Sequence, residues 1–255
     1  FPVLRPKQRE GMEARFAMED IAQNCMALEK VLYAGHAVAA VAATSQLIAE
    51  EAARLIEVEY EVLPHVIELA EAMADDAPVL HDNLFTKGLA ETPGKPSNIV
   101  LRFEAGNGGV DEALADAAVV VTARYSTQPV HQGYIEPHAC VASWNSDGQA
   151  QIWCSSQGQF DVRNLTASVL EIAATDIRVM PLEIGGGFGG KTTVYVEPVA
   201  MLLSRKAGRP VRLAMSRAEV FLASGPAPGS ESEIRIGAAA DGTLLRAKVP
   251  TAAMA

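Results

Sequence analysis

The sequence is poor in cysteine, in aromatic residues and in positive charge. Its 255 residues include 3 cysteines, 5% aromatic residues, and 21 lysines and arginines against 31 aspartates and glutamates, for a formal net charge of −10. Three scattered cysteines exclude a disulfide framework and a Cys-x-x-Cys metal site, and they favour a reducing, cytoplasmic compartment. The acidic balance provides no basic surface for nucleic acid or for an anionic membrane. We therefore expect neither of these partners.

Long hydrophobic runs are also missing, although the chain is rich enough in apolar residues to fold. No stretch reaches the run of about 18 apolar residues that indicates a transmembrane helix. The 49% hydrophobic content is enough to build a core, which excludes an intrinsically disordered protein. The chain starts at Phe1 without the features of a signal peptide, and its last residues carry no capping signal. We expect the chain to be truncated at both ends.

The hydrophobic pattern predicts a mixture of helices and strands. Strands are predicted at residues 37–43, 58–62, 117–125, 140–144, 151–154, 177–184, 211–215 and 232–237. Helices are predicted at residues 46–55, 68–75, 159–173 and 193–206. The pair Asp147-Gly148 between two of the strands is typical of a β-hairpin turn.

A glycine-rich loop is the most distinctive single motif. Residues 185–192 read G-G-G-F-G-G-K-T, which fits the phosphate-binding pattern G-x-x-x-x-G-K-[ST] between a strand and a helix. In an ATPase, Lys191 would reach the phosphates and Thr192 would bind Mg²⁺. However, the chain after Thr192 is too short for the strand and helix units that such a domain needs, and it lacks the Mg²⁺-binding aspartate after a strand. An ATPase and a purely structural turn stay open as alternatives.

Several sequence blocks in a fixed order are more specific than this loop alone. They are residues 128–139 (QPVHQGYIEPHA), 153–157 (WCSSQ), 185–191 (GGGFGGK), 208–211 (GRPV) and 216–219 (SRAE). Together they resemble the molybdenum-binding large subunit of the xanthine dehydrogenase and aldehyde oxidase family of molybdenum hydroxylases. Residues 31–41 (VLYAGHAVAAV) and 58–64 (VEYEVLP) resemble the α/β hammerhead domain of that family. The chain thus resembles an N-terminal fragment of such a subunit.

The resemblance implies an α+β fold with two domains. Residues 1–82 would be a remnant of the α/β hammerhead domain, incomplete at its N-terminus, and residues 83–109 would be a linker. Residues 110–255 would be the first part of a molybdenum-cofactor-binding domain of mixed β-sheets with flanking helices, incomplete at its C-terminus.

The resemblance also implies a reaction and its cofactors. The family hydroxylates an aldehyde or an electron-poor (hetero)aromatic carbon with water-derived oxygen at a molybdenum–pterin cofactor, which is molybdopterin or its cytosine dinucleotide form. Electrons would leave through 2Fe-2S and FAD groups on partner domains or subunits. Because the pterin supplies the sulfur ligands of the metal, few cysteines are needed, and we expect no direct metal ligand in this chain.

Carried over residue by residue, the resemblance places the cofactor contacts at Gln157 and in the loop. Gln157 corresponds to a glutamine that hydrogen-bonds near the oxo ligand, and Gly187, Phe188 and Gly189 correspond to backbone that approaches the molybdenum ligands. N–H donors held in place would complement the charge of a metal–oxo group. Thr192 stands where purine-oxidising members carry a substrate-binding glutamate, so it is a candidate substrate contact and a purine becomes a doubtful substrate.

The family's general base lies further along a longer subunit. We therefore expect no catalytic residue within this chain, and we expect it to be inactive without the remaining part of the molybdenum subunit. The alternative is a non-catalytic scaffold half of a molybdenum subunit that is split over two polypeptides.

Several polar residues allow both a functional and a structural interpretation, and we expect the structural one for most of them. Lys191 could bind substrate or phosphate or point into solvent, and Gln157 could simply cap a turn. A metal site is conceivable at His131, Glu136 and His138, but Pro137 makes the local strand irregular. Buried free thiols are expected at Cys140 and Cys154. Solvated surface positions are expected at Glu197, Arg217 and Glu219.

Overall fold

Two four-stranded β-sheets, one in each of two compact units, organise the part of the chain that the structure describes. This computed structural model describes residues 18–91, 93–102, 108–249 and 251–253. The helices are α1 (Met18–Cys25), α2 (Gln46–Arg54), α3 (Leu69–Ala72), α4 (Val110–Ala115), α5 (Gln159–Val169), α6 (Glu197–Ala207) and α7 (Arg217–Ala223). The strands are β1 (Val119–Thr127), β2 (Ala139–Trp144), β3 (Ala150–Cys154), β4 (Ile177–Pro181), β5 (Val211–Ala214), β6 (Ser230–Ala238), β7 (Leu244–Lys248) and β8 (Thr251–Ala253). The predicted α+β class is confirmed. Among the helices of these residues, none has the length and hydropathy to cross a membrane.

The first unit comprises Phe1–Glu59 and His131–Pro226, and its sheet has the strand order β4-β3-β2-β5. β2 and β3 form the predicted antiparallel hairpin, in which Cys140 lies opposite Cys154. β5 pairs antiparallel with β2, whereas β4 runs parallel to β3. A parallel pair requires a crossover connection, and α5 provides it.

Small and medium-sized side chains fill the core of this unit. Ala142 and Ile152 are paired across β2 and β3, so they share one face of the sheet, and both are 0% exposed. α6 contacts β2 and brings Ala200 and Met201, which are also 0% exposed, into the same core. Close packing of small side chains explains how a chain with few aromatic residues buries this sheet.

The second unit comprises Tyr60–Val130 and Ala227–Ala255 and contains an antiparallel sheet. β1 pairs with β6 over nine residue pairs, from Val119 opposite Ala238 to Thr127 opposite Ser230. β7 and β8 pair with β6 as well. At the register shift after Gly237, a Cβ atom would come within 3.0 Å of the buried Leu114 side chain of α4. Glycine therefore lets α4 approach this sheet.

The two strands predicted at residues 37–43 and 58–62 are wrong. The structure assigns no strand to either segment, and most of their side chains are exposed, including Val62 at 89%. A strand must pair its backbone groups with a neighbour, and no strand within the described residues pairs with these two segments. The helix between them is confirmed as α2, and Ser45 caps it by accepting a hydrogen bond from the Ile48 amide at 3.3 Å.

Some boundaries also differ from the sequence-based prediction. α6 begins at Glu197 instead of residue 193, and Pro198 occupies its first turn, where a proline costs no hydrogen bond. The C-cap of α6 is Gly208, whose φ of +63° lies in the left-handed region that favours glycine. Residues 1–17 of the expected hammerhead remnant and residues 103–107 of the expected linker lie outside the described residues. The domain boundaries at residues 82 and 110 stay predictions.

The packing of the first unit predicts a strong effect of truncating Ile152. We expect Ile152→Ala to lower the free energy of unfolding by about 3 kcal/mol, since the fully buried side chain would leave a cavity. Leu244→Ala, at a side chain that is 72% exposed, should change it by less than about 0.5 kcal/mol. Urea unfolding of the purified protein measures both values. Equal losses for the two variants would contradict the assigned core.

Candidate cofactor-binding site

The glycine-rich loop connects β4 to α6 in the first unit and has an unusual backbone. Gly186 and Gly189 have φ angles of +97° and +91°, and Phe188 between them has φ of +49°. Left-handed backbone is uncommon outside glycine, and the Phe188 side chain is 76% exposed. The Gly190 amide donates to the Gly187 carbonyl at 2.8 Å, which closes a tight turn around Phe188. The loop therefore presents Phe188 on its outer side.

Two glycines of the loop are required by close contacts beneath it. A Cβ atom at Gly187 would lie 2.6 Å from Gln157 Oε1, and one at Gly190 would lie 2.6 Å from Tyr134 Cε1. Both distances are far below van der Waals contact, and the Tyr134 side chain is 1% exposed and has no room to retreat. The loop can therefore lie directly on Gln157 and Tyr134 only because these positions lack side chains.

Gln157 holds the loop through its side-chain oxygen. Gln157 Oε1 accepts hydrogen bonds from the Gly189 amide at 3.0 Å and the Lys191 amide at 3.1 Å. Since both neighbours are N–H donors, the amide oxygen must face them, and the Nε2 donor faces away. Within the described residues, Nε2 donates to no acceptor. Gln157 therefore does cap a turn, as its structural interpretation expected, and it keeps a free donor as well.

Glu136 holds the same loop from a second position. Glu136 Oε2 accepts from the Gly185 amide at 2.7 Å and from Lys191 Nζ at 2.7 Å. Burial raises the pKa of Glu136, but hydrogen bonds from Lys191 and Gly185 outweigh this effect and hold it below its usual value. The Lys191 side chain is only 1% exposed, so the expectation that it could point into solvent is wrong. A buried ammonium needs an anionic partner, and Glu136 provides it.

Tyr134 forms the floor of the loop and belongs to a buried hydrogen-bonded network. Its hydroxyl lies 2.6 Å from His138 Nε2 and 3.1 Å from Ser224 Oγ. Burial and the nearby charge of Lys191 lower the pKa of His138 to about 4. His138 is therefore neutral at physiological pH and shares a hydrogen bond with the Tyr134 hydroxyl. His131 also reaches Ser224, with Nε2 at 2.9 Å from Oγ.

Each of the three residues considered for a metal site, His131, Glu136 and His138, binds a protein partner. Glu136 is bound to Lys191, and the two histidines are bound to the hydroxyls of Tyr134 and Ser224. In the described part of the chain, no three histidine, cysteine or acidic side chains are grouped to hold a metal. The expected structural role of the three residues agrees with these contacts.

Arg217 is more deeply involved than sequence reasoning suggested. Its guanidinium donates to the carbonyls of Tyr134, at 2.9 Å, and Ile135, so it fixes the segment that carries Glu136. Ser216 and Glu219 cap α7 reciprocally and thereby place Arg217 at the first position of the helix. Arg217 is exposed, as expected, but the expectation of a surface turn did not include its bonds to the backbone. Bonds to main-chain carbonyls leave no signature in a sequence.

Glu197 is buried, so the expectation of a solvated position is wrong for this residue. It is 4% exposed at the start of α6, and its Oε2 accepts from the Tyr195 amide at 3.2 Å. Burial raises its pKa. Cys140 and Cys154 are free and buried, as predicted, and they lie directly opposite each other in the sheet.

The glycine-rich loop and the neighbouring Gln157 offer hydrogen-bond donors to a ligand. Within the described residues, the amides of Gly187 and Phe188 donate to no protein acceptor, and neither does Gln157 Nε2. The Gly189 amide, by contrast, is occupied by Gln157, and Thr192 donates its hydroxyl to the Gly189 carbonyl at 3.0 Å. Phe188 and Gln157 are exposed, whereas Gly187 is buried. Free donors that are held in place suit an oxygen-rich or anionic group, such as the oxo ligand of a metal cofactor.

The geometry does not match a nucleotide-binding P-loop. In a P-loop the lysine projects towards the phosphates and the helix starts at once. Here Lys191 Nζ is buried against Glu136, and α6 begins only at Glu197. The pattern match of residues 185–192 therefore lacks the structure that gives the motif its chemistry.

Fold and loop together define a class of domain, and the family comparison identifies it. Residues 92–254 match the family model of the molybdopterin cofactor-binding domain. Residues 5–64 match the a/b hammerhead domain of aldehyde oxidase and xanthine dehydrogenase. The chain belongs to the xanthine dehydrogenase and aldehyde oxidase family and corresponds to its molybdenum-binding subunit. The resemblance found in the sequence blocks is confirmed.

Individual relatives agree with this assignment. The chain is 31% identical to the probable hypoxanthine oxidase XdhD of Escherichia coli O157:H7, over 87% of its own length and 26% of that protein. It is 32% identical to the carbon monoxide dehydrogenase large chain of Afipia carboxidovorans, over 88% of its own length and 28% of that protein. The structure of quinoline 2-oxidoreductase from Pseudomonas putida 86 matches with a TM-score of 0.76 at 29% identity, covering 92% of this chain and 31% of that one. The chain thus spans about a quarter to a third of the length of these proteins.

The close contact beneath Gly190 predicts that even a methyl group there displaces the loop. We expect Gly190→Ala in the complete enzyme that contains this chain to lower the molybdenum content, because the new Cβ would lie 2.6 Å from the Tyr134 ring. Gly94→Ala is a matched control, since a Cβ there meets nothing within 4 Å. Elemental analysis and thermal melting of both variants measure the effect. Full molybdenum content in Gly190→Ala would contradict the close contact between Gly190 and the Tyr134 ring on which this prediction depends.

Proposed function

We propose that this chain forms one wall of a molybdenum–pterin pocket in an enzyme that hydroxylates an aldehyde or an electron-poor (hetero)aromatic carbon with oxygen from water. The observation that carries the proposal is the set of free donors at the Gly187 and Phe188 amides of the loop and at the Nε2 atom of Gln157, which holds the loop. When bound, the molybdenum–pterin supplies the two-electron oxidation and the oxygen transfer. The donors of this chain would orient its ligands and stabilise the charge that develops on them.

The cofactor form and the electron partners extend this proposal. Molybdopterin and its cytosine dinucleotide form share the same metal and pterin, which these donors would hold, so the donor set suits both forms. Electrons would pass to 2Fe-2S and FAD groups on partner domains or subunits. A cytoplasmic location stays a prediction.

The carboxylates of the site support a division of roles between this chain and the rest of the subunit. Glu136 is bound to Lys191 and Gly185, and Glu197 is buried against the Tyr195 amide. Neither carboxylate is free to act as a general base. We infer that the chain contributes donors and scaffold, and that it does not turn over substrate alone. The same observation favours the alternative of a non-catalytic half of a split molybdenum subunit.

The substrate class is proposed from the family and from one residue. The relatives are named for hypoxanthine, carbon monoxide and quinoline, so the shared fold serves substrates of different chemistry. Thr192 is exposed beside the loop and offers no carboxylate to a purine. We therefore favour an aldehyde or a heteroaromatic substrate other than a purine, with Thr192 as a candidate contact.

Two substitutions of Gln157 separate its two roles. Gln157→Glu keeps an oxygen that accepts from Gly189 and Lys191 but removes the Nε2 donor, whereas Gln157→Ala removes both. In the complete enzyme, we expect both variants to lower kcat by about a hundredfold per molybdenum, as loss of one preorganised donor does. Only Gln157→Ala should also lower the molybdenum content, because only it releases the loop.

Steady-state kinetics with molybdenum analysis of each variant measure these effects. Gln149→Ala, at an exposed position in the β-hairpin, serves as the control. It should retain the kcat and the molybdenum content of the wild type. Unchanged turnover of Gln157→Glu at full molybdenum content would remove Gln157 from the cofactor contacts and leave it a purely structural role.

The contacts of Lys191 predict that the protein does not bind ATP. The Nζ atom is 2.7 Å from Glu136 and shielded from solvent, so it cannot contact a phosphate without breaking a buried ion pair. Titration calorimetry with ATP and Mg²⁺ should show no binding. Micromolar affinity that disappears in Lys191→Ala would support a P-loop instead.

A further inference from the structure

One carboxylate oxygen holds both ends of the glycine-rich loop. Glu136 Oε2 accepts from the Gly185 amide at the start of the loop and from Lys191 Nζ at its end, each at 2.7 Å. The Glu136 amide also donates to the Gly185 carbonyl at 3.2 Å. The segment between Gly185 and Lys191 can therefore move towards or away from the Tyr134 ring only if one of these bonds breaks.

The Lys191 side chain has few alternatives to this partner. It is 1% exposed, and the face of the Tyr134 ring lies 5.1 Å from Nζ. A cation over an aromatic face is stabilised, but such a contact does not replace an anion for a group removed from water. Among the described residues, Glu136 is the acidic side chain in ion-pair contact with Lys191.

Glu136 itself is better hydrated, which makes the pair asymmetric. The Glu136 side chain is 33% exposed, so water can solvate its carboxylate if Lys191 is lost. If the carboxylate is lost, however, the ammonium stays buried without an anion. Removing the charge of Glu136 should therefore disturb the loop more than removing that of Lys191.

We propose that the ion pair of Lys191 and Glu136 is a positioning element. It sets the distance of the glycine-rich loop from the Tyr134 ring beneath it, and so the direction of the free donors at Gly187, Phe188 and Gln157. The effect on the loop stands on the contacts alone. The consequence for cofactor binding rests on the proposed function. Neither residue touches the reacting atoms, and both act through the backbone that they fix.

Hydrogen exchange tests the proposal in the complete enzyme, with and without its cofactor. The variants are Glu136→Gln, Lys191→Met and the double variant that carries both. Glu233→Gln is the matched control, because it removes a carboxylate from an exposed ion pair of similar length, 2.8 Å, between Arg124 and Glu233. Mass spectrometry follows exchange of the hydrogen-bonded loop amides, which are those of Gly185, Gly189, Gly190 and Lys191. Thermal melting and molybdenum content are measured on the same samples.

The expected result distinguishes positioning from simple stabilisation. Both single variants should exchange the loop amides at least about tenfold faster than the wild type, with Glu136→Gln the faster of the two. The double variant should recover the melting temperature, since no charge is left buried and unpaired, but its loop should still exchange fast and its molybdenum content should stay low. Glu233→Gln should leave the loop exchange, the melting temperature and the molybdenum content unchanged.

Two outcomes would overturn the proposal. One is a loop that stays protected in the single variants, and the other is a double variant that recovers the loop protection together with the melting temperature. The second would show that the pair only neutralises buried charge. A wild-type enzyme that lacks molybdenum, with loop exchange as expected, would reject the proposed function and support the positioning role.

Discussion

Two side-chain oxygens, Glu136 Oε2 and Gln157 Oε1, hold the glycine-rich loop, and the candidate site depends on this constraint. Each oxygen accepts two hydrogen bonds, and between them they bind Gly185, Gly189 and Lys191. A glycine-rich segment has many accessible conformations, so holding it in one of them has a large entropic cost. Concentrating the bonds at both ends leaves the middle amides fixed in direction but free to bind.

The residues below the loop make this constraint rigid. Tyr134 lies between the loop and a buried set of polar groups, where His138 is neutral and Ser224 joins the Tyr134 hydroxyl to His131. Buried polar groups that are fully hydrogen-bonded favour one arrangement strongly, because any other would leave a donor or acceptor unpaired in a low dielectric. Arg217 adds bonds to the backbone of the same segment. The loop therefore rests on a surface that cannot easily repack.

This organisation explains why the chain can be a cofactor-binding wall without being a complete active site. The available donors belong to the loop and to Gln157, whereas the nearby carboxylates of Glu136 and Glu197 accept from Lys191 and from the Tyr195 amide. Under the proposed function, these donors would serve the cofactor for which the matching domain family is named, molybdopterin. The chain spans about a quarter of the length of its relative XdhD, which agrees with a site shared with other parts of the molecule.

Local patterns in the sequence determined much of this protein. The order of the blocks around residues 128–139, 153–157 and 185–191 identified the family, and the turn at Asp147-Gly148 and the C-cap at Gly208 followed from chemistry within a few residues. Tertiary structure alone decided the partner of Lys191, since Glu136 is 55 residues away, and the acceptor role of Gln157, 34 residues from Lys191. It also decided against the strands at residues 37–43 and 58–62, because an alternating or apolar run predicts a strand but not the neighbour with which it must pair. Contacts across long separations depend on the packed fold, and a local pattern carries no information about them.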